Sequence, residues 1–371
     1  MRVILAGGGT AGHINPALAI ASYLKEHEPG VKILYIGAKG GMEENLVPEA
    51  GLPFKGIEIS GFSRQLNINA FKRNIITLKR IVTSSIESKK LISEFRPDIC
   101  IGTGGYVSGP VLKKANNMGI PTVIHEQNAF PGMTTRMLSK KAKWIMLAVP
   151  EAQKYLNSRC NVVITGNPIR KEIITASKEN SKTTLNLDAR PVILSFGGSL
   201  GARKINETVA GLIAHTTKTD CYQHIHAYGK YGGWFPGFLK EKGVDLQKHP
   251  NLSIQEYIKN MPACLAAADL AICRAGAITL SELQAQGKPA ILIPSPNVAK
   301  NHQYHNAMVL VRNKAAQIVE EKDLTDTKLI KIVKEMLDDK LSLAQYAKNS
   351  KKMAILNANA RIYEIIKKVI P

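Results

Sequence analysis

No stretch of this 371-residue chain approaches the ~20 consecutive apolar residues of a membrane-spanning helix, so no such span is expected. The start, MRVILAGGG, turns glycine-rich too soon for a secretory leader, which predicts a soluble, internal protein. Cysteine is scarce and scattered: Cys100, Cys160, Cys221, Cys264 and Cys273 are odd in number and contain no C-x-x-C pair. That argues against a disulfide framework or a zinc site and for a reducing compartment. Asp-x-Asp is absent, and His, Cys and Asp form no cluster with metal-ligand spacing, so no metal is expected. Negative charge is also in deficit. The chain has 50 Lys+Arg against 29 Asp+Glu, a net +21 spread evenly over both halves rather than gathered in a tail. Such a surplus suits nucleic acid or the anionic face of a membrane, and ordinary lysine-rich surface is the plainer account.

What is present is α/β grammar. An apolar fraction of 44% supports real cores, and the length favours two domains. Val3–Ala6 reads as a strand running into Gly7-Gly8-Gly9-Thr10-Ala11-Gly12-His13, and a helical pattern with Pro16 in its first turn follows. Gly7-x-Gly9-x-x-Gly12 matches the dinucleotide fingerprint, but the next strand, KILYIGAKGG, carries no carboxylate at its end. Glu43 and Glu44 come later, past the glycines, so a nicotinamide dehydrogenase is disfavoured although the loop still suits a phosphate or sugar. RPDICIGTGGYVSGP supplies a strand and a second glycine loop, and TVIHEQNAFPG a strand ending in His125, Glu126, Gln127 and Asn128. Ligands of open α/β sheets bind at such carboxyl edges. Gly166-Asn167-Pro168 reads as a turn and hinge, with Arg170 beyond it.

Between Phe62 and Phe95 the spacing predicts a long helix with Ile68, Phe71, Ile75, Leu78 and Val82 on one face. Residues 61–96 hold eight Lys/Arg against two Asp/Glu. An apolar stripe bordered by cations suits a helix resting on a membrane interface, and packing on a sheet explains the same stripe.

The second half restarts the pattern. PVILSFGGSLGARKIN is strand, glycine loop and helix; HIHAYG, LSIQEYI, DLAICRAG and PAILIPSP supply further strands. After Cys273, Gly276 offers a tight turn, Thr279 and Ser281 place hydroxyls near a helix start, and Glu282 sits one turn on. Free N–H groups at that helix start would cradle a diphosphate, and the carboxylate would take a ribose diol. From Asp323 the chain is helical and polar, and its last amphipathic stretch could brace the first domain.

Six motifs occur together and in order: Gly8–His13, Gly104–Pro110, His125–Asn128, Gly166–Arg170, Gly197-Gly198-Ser199-x-Gly201-Ala202, and Arg274–Ala277 through Glu282. In this the chain resembles the MurG family of peptidoglycan glycosyltransferases, from the first strand to beyond Asn306. The resemblance implies an α/β GT-B fold: two Rossmann-like domains facing across a cleft, with the C-terminal helix returning to the N-terminal domain. It divides the chain into residues 1–165 (acceptor side, membrane-associating), 166–345 (UDP-GlcNAc binding) and a returning helix in 346–371. It implies inverting transfer of GlcNAc from UDP-GlcNAc to the C4 hydroxyl of lipid I, forming lipid II at the cytoplasmic face of the membrane, with no cofactor. Partners would be these two substrates, an anionic membrane surface and other cell-wall synthesis or division proteins, but not nucleic acid.

Donor contacts carried over by the resemblance are Thr10, Ala11, Gly12, Asn128, Arg170, Ser199, Ile258, Ala277, Ile278, Thr279, Leu280, Ser281, Glu282 and Gln303. Ile258 would meet the uracil, Glu282 the ribose, Gln303 the sugar, and Ser199 with the helix start the diphosphate. Gly104, Gly105, Tyr106 and His125 would face the acceptor and its pyrophosphate. Ala11 and His302 depart from residues common in the family. His13 is the candidate base because an imidazole titrates near neutrality, with Glu126 and His125 as alternatives. A sister transferase with another lipid acceptor stays open. A nucleic-acid binder lacks any RNP, helix-turn-helix or interleaved aromatic and basic residues.

Overall fold

Central strand sequences such as RVILAG, VILSF and LAIC are short apolar runs rather than alternating ones, the pattern of parallel strands covered on both faces. A computed structural model describes residues 1–59, 68–157 and 159–370, without the side chains of 68–79 and 81. The chain divides into two units, Met1–Ile169 with Asn357–Pro371, and Arg170–Leu356.

The first unit contains β1 (Arg2–Gly7), β2 (Lys32–Ala38), β3 (Phe54–Ile57), β4 (Ile99–Gly104), β5 (Thr122–Glu126), β6 (Trp144–Leu147) and β7 (Val162–Ile164). They form one parallel sheet in the order β3-β2-β1-β4-β5-β6-β7. Val3 pairs with Ile33 on one side and Ile99 on the other. The winding direction reverses between β1 and β4, so the two glycine loops follow the two strands of the switch point, where open α/β sheets bind ligands. On one face, Ile14, Ala17 and Leu24 of helix Ala11–His27 share a core with Ile362, Ile365 and Ile366 of helix Ala358–Val369. The Tyr363 hydroxyl donates to Glu28 at 2.8 Å, and Lys367 lies 3.3 Å from the same carboxylate, so the C-terminal helix is tied back to the first helix. On the other face Ile92, Val111, Leu112, Ala115 and Leu138 join helices Ile68–Phe95, Ser108–Asn117 and Met133–Leu138 to the sheet. The expected 62–95 helix is present from Ile68. Its stripe residues Ile68, Phe71, Ile75 and Leu78 lie outside the described side chains.

The second unit repeats the plan with β8 (Val192–Phe196), β9 (Gln223–Ala227), β10 (Leu252–Gln255), β11 (Leu270–Cys273), β12 (Ala290–Leu292) and β13 (Ala316–Ile318). Their order, β10-β9-β8-β11-β12-β13, reverses between β8 and β11. The Gly197–Gly201 loop and the Arg274–Gly276 segment therefore emerge side by side. Helix Lys340–Lys352 also belongs to this unit, and the segment that returns to the first unit begins at Asn357. Among the described residues no helix is long and apolar enough to cross a membrane.

Candidate functional site

In the first unit the two glycine loops touch. Gly105 has φ +79°, and a Cβ there would lie 2.2 Å from the Gly8 carbonyl oxygen, so only glycine permits the approach. Thr103 Oγ1 donates to the His13 carbonyl at 2.7 Å, and Ser108 Oγ lies 2.7 Å from the carbonyls of both Ala6 and Gly104. These bonds bring His13, Thr10, Ala11, Gly12, Gly104, Gly105 and Tyr106 to one sheet edge. The His13 imidazole lies beside Gly104, with Nδ1 3.1 Å from the Gly8 carbonyl oxygen and 3.2 Å from Thr10 Oγ1. A carbonyl only accepts, so the Gly8 contact is a hydrogen bond in the tautomer with the proton on Nδ1, which leaves Nε2 as the accepting nitrogen. Tyr106 packs over Gly9, and burial, reinforced by the Glu43 charge, raises its phenol above the usual range.

His125 and Glu126 are differently placed. His125 is fully buried, with Nε2 2.9 Å from the Gly166 carbonyl and Nδ1 3.0 Å from Gln127 Nε2. Burial lowers its pKa, so it is a neutral strut with both ring nitrogens engaged. Glu126, also buried, accepts from Asn128 N and Nδ2, Gly132 N and Thr135 Oγ1, at 2.6–3.1 Å. That saturation shapes the loop holding Asn128 and leaves little capacity to take a proton from a substrate. Gly166 and Asn167 are bonded to His125 and to the Gln127 carbonyl, so the anticipated hinge turn is fixed to the first unit.

In the second unit, helix Ala277–Gln286 follows β11 directly. Gly276 is extended (φ −69°, ψ 135°), so the tight turn expected there does not form. A Cβ at Gly276 would meet only Thr279 Oγ1, at 3.7 Å, which leaves space over the helix start. Leu280 N already donates to the Gly276 carbonyl, the Leu280 side chain is buried, and Ser281 Oγ donates back to Ala277 O at 3.2 Å. Backbone N–H groups ahead of the helical ladder therefore include those of Ile278 and Thr279. Glu282 is largely buried, which raises its pKa against the opposing charge of Arg170, whose Nη2 lies 3.8 Å from Oε1. Ser199 is exposed on the neighbouring loop, which is pinned by Lys230 N to Ser199 O and Tyr231 N to Leu200 O, both 3.1 Å. Gln303 Oε1 accepts from Ser295 N at 2.9 Å, leaving its amide NH2 to donate to a ligand, and Ile258 is buried beyond β10.

Three supports escaped the sequence reading. Arg274 pairs with Glu321 and donates to the Ile293 and Pro294 carbonyls, fastening the segment before the helix to the loop after β12. Tyr35 donates to the Gly7 carbonyl at 2.9 Å. Glu43 turns inward to Gly9 N and Ala38 N, so it is not the outward ribose ligand of a dehydrogenase. Among the described residues no group of three or more His, Cys, Asp or Glu is placed to hold a metal ion.

The N-terminal domain of glycosyltransferase family 28 matches residues 3–147 and its C-terminal domain residues 192–366. The chain is 46% identical, over its whole length and 98% of the relative's, to the UDP-N-acetylglucosamine–N-acetylmuramyl-(pentapeptide) pyrophosphoryl-undecaprenol N-acetylglucosamine transferase of Acetivibrio thermocellus. It belongs to the MurG family of N-acetylglucosaminyltransferases. The same transferase of Ruminiclostridium cellulolyticum is 40% identical over the full length of both chains. The crystal structure of Acinetobacter baumannii MurG superposes with a TM-score of 0.78 at 28% identity, covering 99% of each chain. The two parallel Rossmann-like sheets and the returning helix are thus the GT-B fold of the MurG family, whose work is peptidoglycan synthesis.

Proposed function

We propose that the chain moves GlcNAc from UDP-GlcNAc to the C4 hydroxyl of the MurNAc of lipid I, with inversion, and that its second unit holds the donor. The observation that carries this is the open start of helix Ala277–Gln286, with Glu282 one turn on and Ser199 on the adjacent loop. In this reading the N–H groups of Ile278 and Thr279, at the helix start opened by Ala277, and the Ser199 hydroxyl meet the diphosphate. Glu282 takes the ribose diol, Gln303 the sugar hydroxyls, and the backbone at Ile258 the uracil. The acceptor oxygen attacks the anomeric carbon as the bond to the diphosphate breaks. The hydroxyl proton passes to His13 Nε2, and the charge gathering on departing UDP is met by the helix dipole and Arg170.

His13, Gly104, Gly105 and Tyr106 form the acceptor side in this scheme, and His125 supports it from behind. The enzyme works at the cytoplasmic face of the membrane. The first unit rests there through the face bearing helices Ile68–Phe95 and Met133–Leu138, whose Val82, Ile86, Met133 and Met137 are exposed.

The test is UDP release from UDP-GlcNAc with and without a lipid I analogue, in the presence of EDTA. Release should require the analogue and ignore EDTA; donor binding without transfer would return the acceptor to question. His13→Ala should lower kcat by about 10²–10⁴-fold with little change in donor KM. The reverse pattern would make His13 a binding residue.

A further inference from the structure

Glu43 is a carboxylate with no solvent exposure, set behind the first glycine loop. Its Oε1 accepts from Ala38 N at 2.9 Å, at the end of β2, and its Oε2 from Gly9 N at 3.2 Å, so it staples the loop after β1 to the neighbouring strand. The fit is close: a Cβ at Gly8 would fall 2.0 Å from Oε1. A buried carboxylate is costly unless its oxygens are hydrogen-bonded, and here each oxygen has its own backbone donor. An amide of the same shape has one acceptor for two donors and would force its NH2 against an N–H.

The charge matters as much as the shape. A loop built to bind an anion keeps its N–H groups for that anion. Here one is already taken by a carboxylate, and a negative charge lies behind the loop. What the loop offers from Gly8 is a carbonyl, 3.1 Å from His13 Nδ1. That suits an imidazole gaining a proton on its far nitrogen, because the Nδ1–H···O=C bond strengthens when the ring becomes cationic.

We propose that Glu43 is a positioning residue for the transfer: by holding Gly9 N–H it keeps the Gly8 carbonyl on His13 Nδ1, fixing the tautomer that presents Nε2 to the acceptor hydroxyl. The proposal rests on the assignment of His13 as base, and its test separates the two.

In the full chain labelled with ¹⁵N-histidine, the His13 ring nitrogens are assigned by their loss in His13→Gln. Wild-type enzyme should show protonated Nδ1 and unprotonated Nε2. Glu43→Gln should mix the tautomers and lower kcat roughly 10- to 100-fold, with donor KM held within about twofold. A folded Glu43→Gln with the wild-type tautomer overturns the proposal, whatever its activity. Lost tautomer preference with unchanged kcat upholds the positioning of the ring and removes His13 from the chemistry, a failure of the base assignment alone. If Glu43→Gln does not fold, Gly8→Ala perturbs the same contact from the loop side. It should give the same mixed tautomers and the same fall in kcat, and retention of both wild-type values overturns the proposal.

Discussion

Glu282 stands between two opposed influences, burial that disfavours its charge and Arg170 that favours it, and burial is the larger. Because its pKa is raised, donor binding that needs the carboxylate should weaken on acidification sooner than at an ordinary glutamate. Glu282→Gln keeps the shape but leaves one acceptor for two ribose hydroxyls. Losing a charge-assisted bond of about 1.5–3 kcal/mol corresponds to roughly 10- to 150-fold in donor affinity. Calorimetric titration with UDP should show that loss at neutral pH and a flatter acid limb in the variant; unchanged UDP affinity would take the ribose away from Glu282. The Arg170 pair complicates this little, since an exposed guanidinium 3.8 Å away contributes weakly. Residues such as Glu282 and His13 could be singled out because each lies within a few positions of a glycine that follows a strand. Glu43 was not, because its partners Gly9 and Ala38 become neighbours only when β1 and β2 pair. His125 looked like a site residue from its strand-end position. That both ring nitrogens are occupied depends on Gly166, 41 positions away.

At the scale of elements, β9 carries an acid-sensitive pair. His224 and His226 are fully buried, and burial depresses both to about 3 from the ordinary 6.5. His224 Nε2 is bonded to Thr216 and His226 Nδ1 to Ser195, each at 2.8 Å, while His224 Nδ1 and His226 Nε2 have no hydrogen-bond partner among the described residues. The folded second unit therefore holds both rings neutral, whereas the unfolded chain protonates them below about 6.5. Their effect is absent above that pH and destabilises the unit progressively as pH falls toward 3. The loss should reach about 2–3 kcal/mol per histidine by pH 4.5. Urea unfolding followed by Trp234 in a Trp144→Phe background reports this unit, because Trp144 lies in β6 of the first. His224→Leu should roughly halve the acid-induced fall; an unchanged slope would place the acid sensitivity elsewhere. Elements differ in legibility for a related reason. Strands such as β1, β8 and β11 stood out as apolar runs, but β3 (FKGI) and β13 (AQI) did not. Both are short and lie at sheet edges, where one neighbour suffices and polar residues are tolerated.

For the whole molecule, the +21 charge becomes informative once apolar surface is set beside it. Met133 and Met137 are 74% and 56% exposed on a helix beside Ser108–Asn117, which in turn packs against the helix exposing Val82 and Ile86 at 63% and 65%. Lys113, Lys140 and Lys141 are exposed in the same part of the chain. Apolar side chains that enter the lipid boundary and lysines that stay at the headgroups are the two components of interfacial binding, and either alone is weak. Met133→Glu with Met137→Glu removes the first component and adds repulsion, while burying nothing new in the fold. Each methionine entering lipid contributes about 1–2 kcal/mol. The double variant should therefore lose more than about tenfold of its partitioning onto vesicles containing anionic phospholipid. It should retain UDP affinity, which the proposed scheme assigns to the second unit. Wild-type partitioning should fall as salt rises through the screening range, and more steeply for anionic than for zwitterionic vesicles. Undiminished binding by the double variant would show that the charge works through a different face of the molecule, and would remove helix Met133–Leu138 from the membrane contact while leaving the transfer chemistry untouched.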